Sequence, residues 1–163
     1  MPKVSDMTAR GAAHWTAWTM LWAAAMTASA AISLYWSRSG ILEGTANRLI
    51  GVFALGAVLA FPAARFLLAF VPERWRFSQR FAVAFLILGA ATLGFTSLIV
   101  AFDFLAYYAQ WHDDGLTRRR FFETVMTILS ACYQFLVLGL RLFLPVGFAA
   151  LIATSWVFAQ RRL

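Results

Sequence analysis

Trp15 to Trp36 is a run of 22 residues without a charge, and Phe81 to Phe102 is a second run of 22. As helices rising about 1.5 Å per residue, each matches the roughly 30 Å hydrocarbon core of a bilayer. A third apolar stretch, Leu49 to Val71, is interrupted only by Arg65 near its end. These patterns predict membrane-spanning helices over about 15–36, 49–71 and 81–102, the third closed by Asp103.

The last apolar region is longer. Thr124 to Gln160 holds 37 residues and one charge, Arg141. One helix of that length would reach roughly 55 Å, well beyond one crossing. In a first reading the fourth span is about 140–160, closed by Arg161 and Arg162. Residues 121–139 then form an apolar extension or a helix on the membrane surface. In a second, both halves cross and the chain turns around Arg141 to Gly147. Only Pro145 and Gly147 would break the helix there, with no polar loop, so we favour the first. Pro145 is expected to kink the last helix, because it removes a backbone hydrogen bond. The expected fold is all-α, a single transmembrane domain over 1–163 built as a bundle of four transmembrane helices. Lys3 and Arg10 ahead of an apolar stretch, with Ala28-Ser29-Ala30 behind it, imitate a signal peptide; we read the segment as the first span.

Composition agrees with this class. The chain is 62% hydrophobic and 13% charged, against about 25% charged in soluble domains. A net charge of +7 would suggest nucleic acid in a soluble protein. Here only Arg65 and Arg141 of the 14 Lys and Arg residues lie in apolar runs. The charge therefore reads as topology and headgroup contact, with membrane lipids and not nucleic acid as partners. The single cysteine, Cys132, excludes a disulfide within the chain.

Lys and Arg counts set the orientation. With the N-terminus inside, the inner face holds Lys3, Arg10, Arg65, Arg74, Arg76, Arg80, Arg161 and Arg162, eight in all. The outer face holds five: Arg38, Arg48, Arg118, Arg119 and Arg120. The balance leans toward cytoplasmic termini. Sparse Lys beside abundant Ala, Leu and Arg suggests a bacterial inner membrane. Trp15, Trp36, Trp75 and Trp111 fall at expected interfaces as an aromatic belt. Trp15, Trp18 and Trp22 share one helical face, which is expected to meet lipid or a partner helix.

Lipid tails give no hydrophobic drive for helices to associate, so small residues mark candidate packing faces. Ala24 and Ala28 are four apart, as are Gly56 and Ala60, and Ala90 and Gly94. Such faces serve contacts within the chain or between chains.

Candidate chemistry is sparse. Asp103 and Arg141 fall at similar depth in the four-span layout and are expected to form an intramembrane ion pair. Arg65 can snorkel to the inner headgroups. Arg118, Arg119 and Arg120, followed by Phe121 and Phe122, suit an anchor on anionic lipid or on an acidic partner surface. His14 and His112 lie at opposite ends of the bundle, so they cannot share a haem iron within one chain. Asp113-Asp114 is a lone loop pair. No catalytic, metal or cofactor site is expected, and the chain does not read as an enzyme.

Three segments carry a resemblance: Leu42-Glu43-Gly44, Val71-Pro72-Glu73-Arg74-Trp75-Arg76 and Leu144-Pro145-Val146-Gly147-Phe148. In these and in its layout the chain resembles the small membrane subunit of tripartite ATP-independent periplasmic transporters. It departs from that family in carrying only Glu43 where an acidic pair is usual. The resemblance implies a scaffold bracing a larger transport subunit, and it assigns no site residues. The residues themselves lead to a non-catalytic small integral membrane subunit of a larger transport or energy-converting complex. The alternative is a self-sufficient homo-oligomeric channel or carrier, with a polar path through Asp103, Arg141, Gln134, Tyr133, Thr92, Thr96 and Ser97.

Overall fold

The structure is a computed structural model that describes residues 4–36, 43–72, 74–109 and 118–160. Five α-helices make up nearly all of it: α1 (Val4–Trp36), α2 (Glu43–Leu68), α3 (Phe77–Ala109), α4 (Arg118–Gln134) and α5 (Val146–Gln160). No strand occurs among the described residues. Three of these helices are long and apolar enough to cross a membrane, over His14–Trp36, Asn47–Leu68 and Phe77–Tyr108. Only 28–33% of each spanning window is buried by the rest of the chain. Helices apolar all round and so little covered need lipid or protein on their outer faces.

The helices run past the ends expected from the apolar runs. Asp103 does not terminate α3, which continues to Ala109. A carboxylate at a membrane interface is solvated and leaves the backbone ladder intact, so charge there marks the end of the apolar zone and not of the helix.

α2 lies between α1 and α3, and α3 in turn carries both α4 and α5. Phe85 packs on Phe148 and Phe77 on Trp156, with ring centroids 6.0 Å and 4.9 Å apart. Rising numbers along α5 meet falling numbers along α3, so the two are antiparallel. The core runs through Trp22, Met26, Phe53, Phe61, Leu88 and Phe143.

The expectation of a last helix running through about 140–160 with a kink at Pro145 is corrected. After α4 the chain widens into a π-helical turn, Phe135–Gly139, then tightens into a 3-10 turn, Leu140–Phe143. Leu144 is extended, at φ −99° and ψ 146°, the conformation that a following proline imposes. Pro145 precedes the first residue of α5, and its carbonyl accepts the helix's first turn bond, from the Ala149 N–H at 3.2 Å. A proline at a helix start sacrifices no bond, because that N–H would be unpaired anyway. The helix is therefore broken at this point, not bent.

Phe53 of α2 packs over the break. Its ring lies 4.8 Å from that of Phe143 and 6.0 Å from that of Phe135. Gly56, one turn along, is needed for contact with α3: a Cβ there would meet the Oγ1 of Thr96 and come within 2.9 Å of its Cα.

Candidate functional site

A broken helix leaves unpaired backbone groups on both sides of the gap, and hydrocarbon offers them no water. Here Ser29 of α1 meets them. Its Oγ accepts the Gly147 N–H at 2.9 Å and donates to the Leu142 carbonyl at 3.1 Å. One hydroxyl thus clips an orphan donor from α5 to an orphan acceptor before the break. Ser29 is fully buried. Close approach requires Gly147, where a Cβ would fall 3.2 Å from Met26 Sδ and 3.3 Å from the Ser29 hydroxyl. In the sequence Ser29 stands out only within an apparent cleavage motif. A serine in an apolar run 113 residues from its carbonyl partner carries no local signal of that bond.

Beside the clip lies an apolar cavity of about 520 Å³ between α1, α3 and the break. Trp22, Phe85, Phe143 and Phe148 supply aromatic walls, and Leu86, Ala90 and Leu144 form its exposed side. Thr92, the hydroxyl on its wall, donates to the Leu88 carbonyl at 2.7 Å. Trp22 is 3% exposed, and its indole Nε1 is buried with no hydrogen-bond partner.

A second cluster ties four helices together at one end. The Arg65 guanidinium lies 3.7 Å from the centre of the Trp15 ring and 5.0 Å from that of Phe158. Arg80 donates to the Phe158 carbonyl at 3.5 Å. The Trp18 indole donates to His14 Nε2 at 3.1 Å. The tryptophan face of α1 is buried only toward its middle: Trp22 packs on Phe61 of α2 with ring centroids 6.1 Å apart, whereas Trp15 meets Arg65 of α2 but stays 46% exposed. The space left here, about 30 Å³, is enough for about one water.

The Asp103–Arg141 pair does not form. Asp103 bonds instead to Arg48 at the start of α2, while Arg141 is exposed in the 3-10 turn. The physical reason is vertical. Arg141 sits next to Leu142, whose carbonyl is held by Ser29, seven residues or about 10 Å inside the Trp36 end of α1. Asp103 lies level with the start of α2, where it meets Arg48.

Of the small-residue pairs, Gly56 and Ala60 are buried within the bundle, Gly56 against α3. Ala24, Ala28, Ala90 and Gly94 are exposed on the chain's surface, and a Cβ at Gly94 would touch nothing within 4 Å. Packing at those four requires something outside the chain. Arg118 and Arg119 are exposed at the start of α4, Arg119 paired to Glu123 at 2.8 Å; the Arg120 side chain, His112, Asp113 and Asp114 fall outside the described residues. Of the polar-path candidates, Thr96 bonds its own helix through the Thr92 carbonyl at 2.7 Å. Tyr133, Gln134 and Arg141 are exposed, and only Thr92 lines the large cavity.

Among the described residues no cluster of three or more His, Cys, Asp or Glu side chains is placed to hold a metal ion. Comparison of the chain with protein-family models, curated proteins and solved structures finds no match.

Proposed function

We propose that this chain is a non-catalytic small integral membrane subunit that braces a larger membrane transport or energy-converting complex. It crosses a bacterial inner membrane four times with both termini in the cytoplasm, and its fourth crossing falls within the run from α4 through the break to α5, which is longer than one crossing needs. The observation that carries the reading is the pair of uncovered small-residue faces, Ala24 with Ala28 on α1 and Ala90 with Gly94 on α3. Small residues let backbones approach closely, and that closeness stabilises a membrane helix only against another helix. Along α4 and into the π-helical turn, Phe122, Met126, Leu129, Tyr133 and Leu136 form a further exposed stripe at alternating spacings of four and three.

The test is purification of the full chain from its native membrane in a mild detergent, followed by mass spectrometry. The wild type is expected to carry a larger membrane protein in fixed stoichiometry. Ala28→Leu and Gly94→Leu should lose it while keeping the helical content of the isolated chain, since both sites are uncovered. Recovery of the chain alone as a defined oligomer would overturn the subunit reading. Flux assays on Asp103→Ala and Arg141→Ala in liposomes would then test the carrier alternative.

A further inference from the structure

We propose that the connection between α2 and α3 binds the headgroup of an anionic phospholipid, a phosphate diester with no ammonium to neutralise it. Leu68 ends one membrane-spanning segment and Phe77 begins the next. The chain between them is therefore held at one edge of the hydrocarbon, the level of lipid phosphates. The turn is tight. The Trp75 N–H donates to the Pro72 carbonyl at 3.2 Å, and the Arg76 N–H to Gln79 Oε1 at 3.1 Å. Arg74 and Arg76 flank Trp75; both are exposed, and neither is in an ion pair among the described residues. A guanidinium carries five N–H donors in a fork that fits phosphate oxygens. Trp75, 37% exposed, is a residue type that settles at this level. Deeper along α2, Phe66 and Phe70 are exposed, with ring centroids 5.2 Å apart. Two cations above an apolar wall match a phospholipid, whereas a soluble acidic peptide has nothing to offer the two rings.

The rest of this end sets the sign of the headgroup. Arg65 and Arg80 also stand here, engaged with Trp15 and Phe158, so they add positive potential from behind the turn. Counted along the sequence, residues 1–14, 65–80 and 161–163 carry eight Lys and Arg against two Asp and Glu, a net +6. Residues 37–48 and 103–123, which belong to the other end, carry five against five. There Arg48 is paired to Asp103 and Arg119 to Glu123. A one-sided field of this kind draws in a phosphate and repels the ammonium of a zwitterionic lipid. The proposal requires only that α2 and α3 cross the bilayer, and it stands whether or not the chain serves as a subunit.

The test is native mass spectrometry of the full chain released from mixed micelles that hold phosphatidylglycerol and phosphatidylcholine in equal amounts. The wild type should retain phosphatidylglycerol in preference. Arg74→Gln with Arg76→Gln should weaken that retention roughly 25-fold, about fivefold for each arginine at a membrane surface. Helical content should be unchanged by circular dichroism, because both side chains are exposed. Arg118→Gln with Arg119→Gln, at the balanced end, should retain the lipid as the wild type does. Equal retention of the two lipids by the wild type would overturn the proposal, as would undiminished phosphatidylglycerol on the Arg74 and Arg76 variant. An equal loss in the Arg118 and Arg119 variant would reduce the effect to net charge and remove the site. Displacement of the lipid by millimolar inorganic phosphate would make the ligand a soluble anion, and would also overturn it.

Discussion

Replacing Ser29 by alanine removes one oxygen and leaves the side chain's volume otherwise in place. Two bonds go with it, from the Gly147 N–H and to the Leu142 carbonyl. The magnitude depends on whether those backbone groups find other partners. Side-chain hydrogen bonds between membrane helices average only about 0.6 kcal/mol, because their groups re-pair when the contact is lost. Here the break itself prevents re-pairing: the residue before α5 is a proline, with no N–H to offer the Leu142 carbonyl. An unsatisfied buried group costs about 1–3 kcal/mol, and that range is the expected loss. Ser155→Ala is the control. Ser155 is equally buried but donates only to the Leu151 carbonyl of its own helix, at 2.7 Å, so its loss should be below about 0.6 kcal/mol. Reversible unfolding in mixed micelles, followed by circular dichroism and tryptophan fluorescence, measures both. Amide exchange at Gly147 should quicken in Ser29→Ala alone. Equal stability of the two variants, with Gly147 exchange unchanged, would refute the clip.

Further outcomes follow from the same contacts. Gly56→Ala should be less stable than Gly51→Ala by about 1–3 kcal/mol of overpacking, since a Cβ meets Thr96 at the first site and nothing within 4 Å at the second; their shared gain in helix propensity cancels in unfolding titrations. A double-mutant cycle of Arg48→Gln with Asp103→Asn should show coupling of up to about 1 kcal/mol, whereas Asp103→Asn with Arg141→Gln should be additive within about 0.5 kcal/mol. Arg65→Gln should lower stability by about 1–2 kcal/mol through loss of the stack on Trp15 and Phe158, with a change in tryptophan emission that Arg74→Gln, at an exposed site in the same end region, does not produce.

The membrane class was legible because it depends on local composition: runs of 22 uncharged residues have one physical use at that length. The three long helices follow directly. Their ends were less legible, since Asp103 interrupts hydropathy without interrupting the backbone ladder. The break at Leu144 was half visible. Pro145 announced a disturbance, but its place at a helix start depends on the extended Leu144 and on Ser29 reaching across from α1. The ion pair was misassigned because a count of residues along two helices does not give their relative height, and Arg48 met Asp103 first. The small-residue pairs were visible as pairs. Which of them turn inward is a property of how the helices are rotated, and uniformly apolar helices such as α1 and α3 have no polar face to set that rotation. The cavity and the unpaired Trp22 indole arise from three separated segments and left no trace in local pattern.

The fourth crossing is the element on which the account most depends, and its topology can be measured directly. In a Cys132→Ser background, single cysteines at Arg118 and Gln160 would be labelled in intact cells with a membrane-impermeant maleimide. A crossing broken at Leu144 predicts that Arg118→Cys reacts from outside and that Gln160→Cys reacts only after the membrane is opened. Labelling of both positions from the same side would mean that the chain turns back at the break, and would contradict the account.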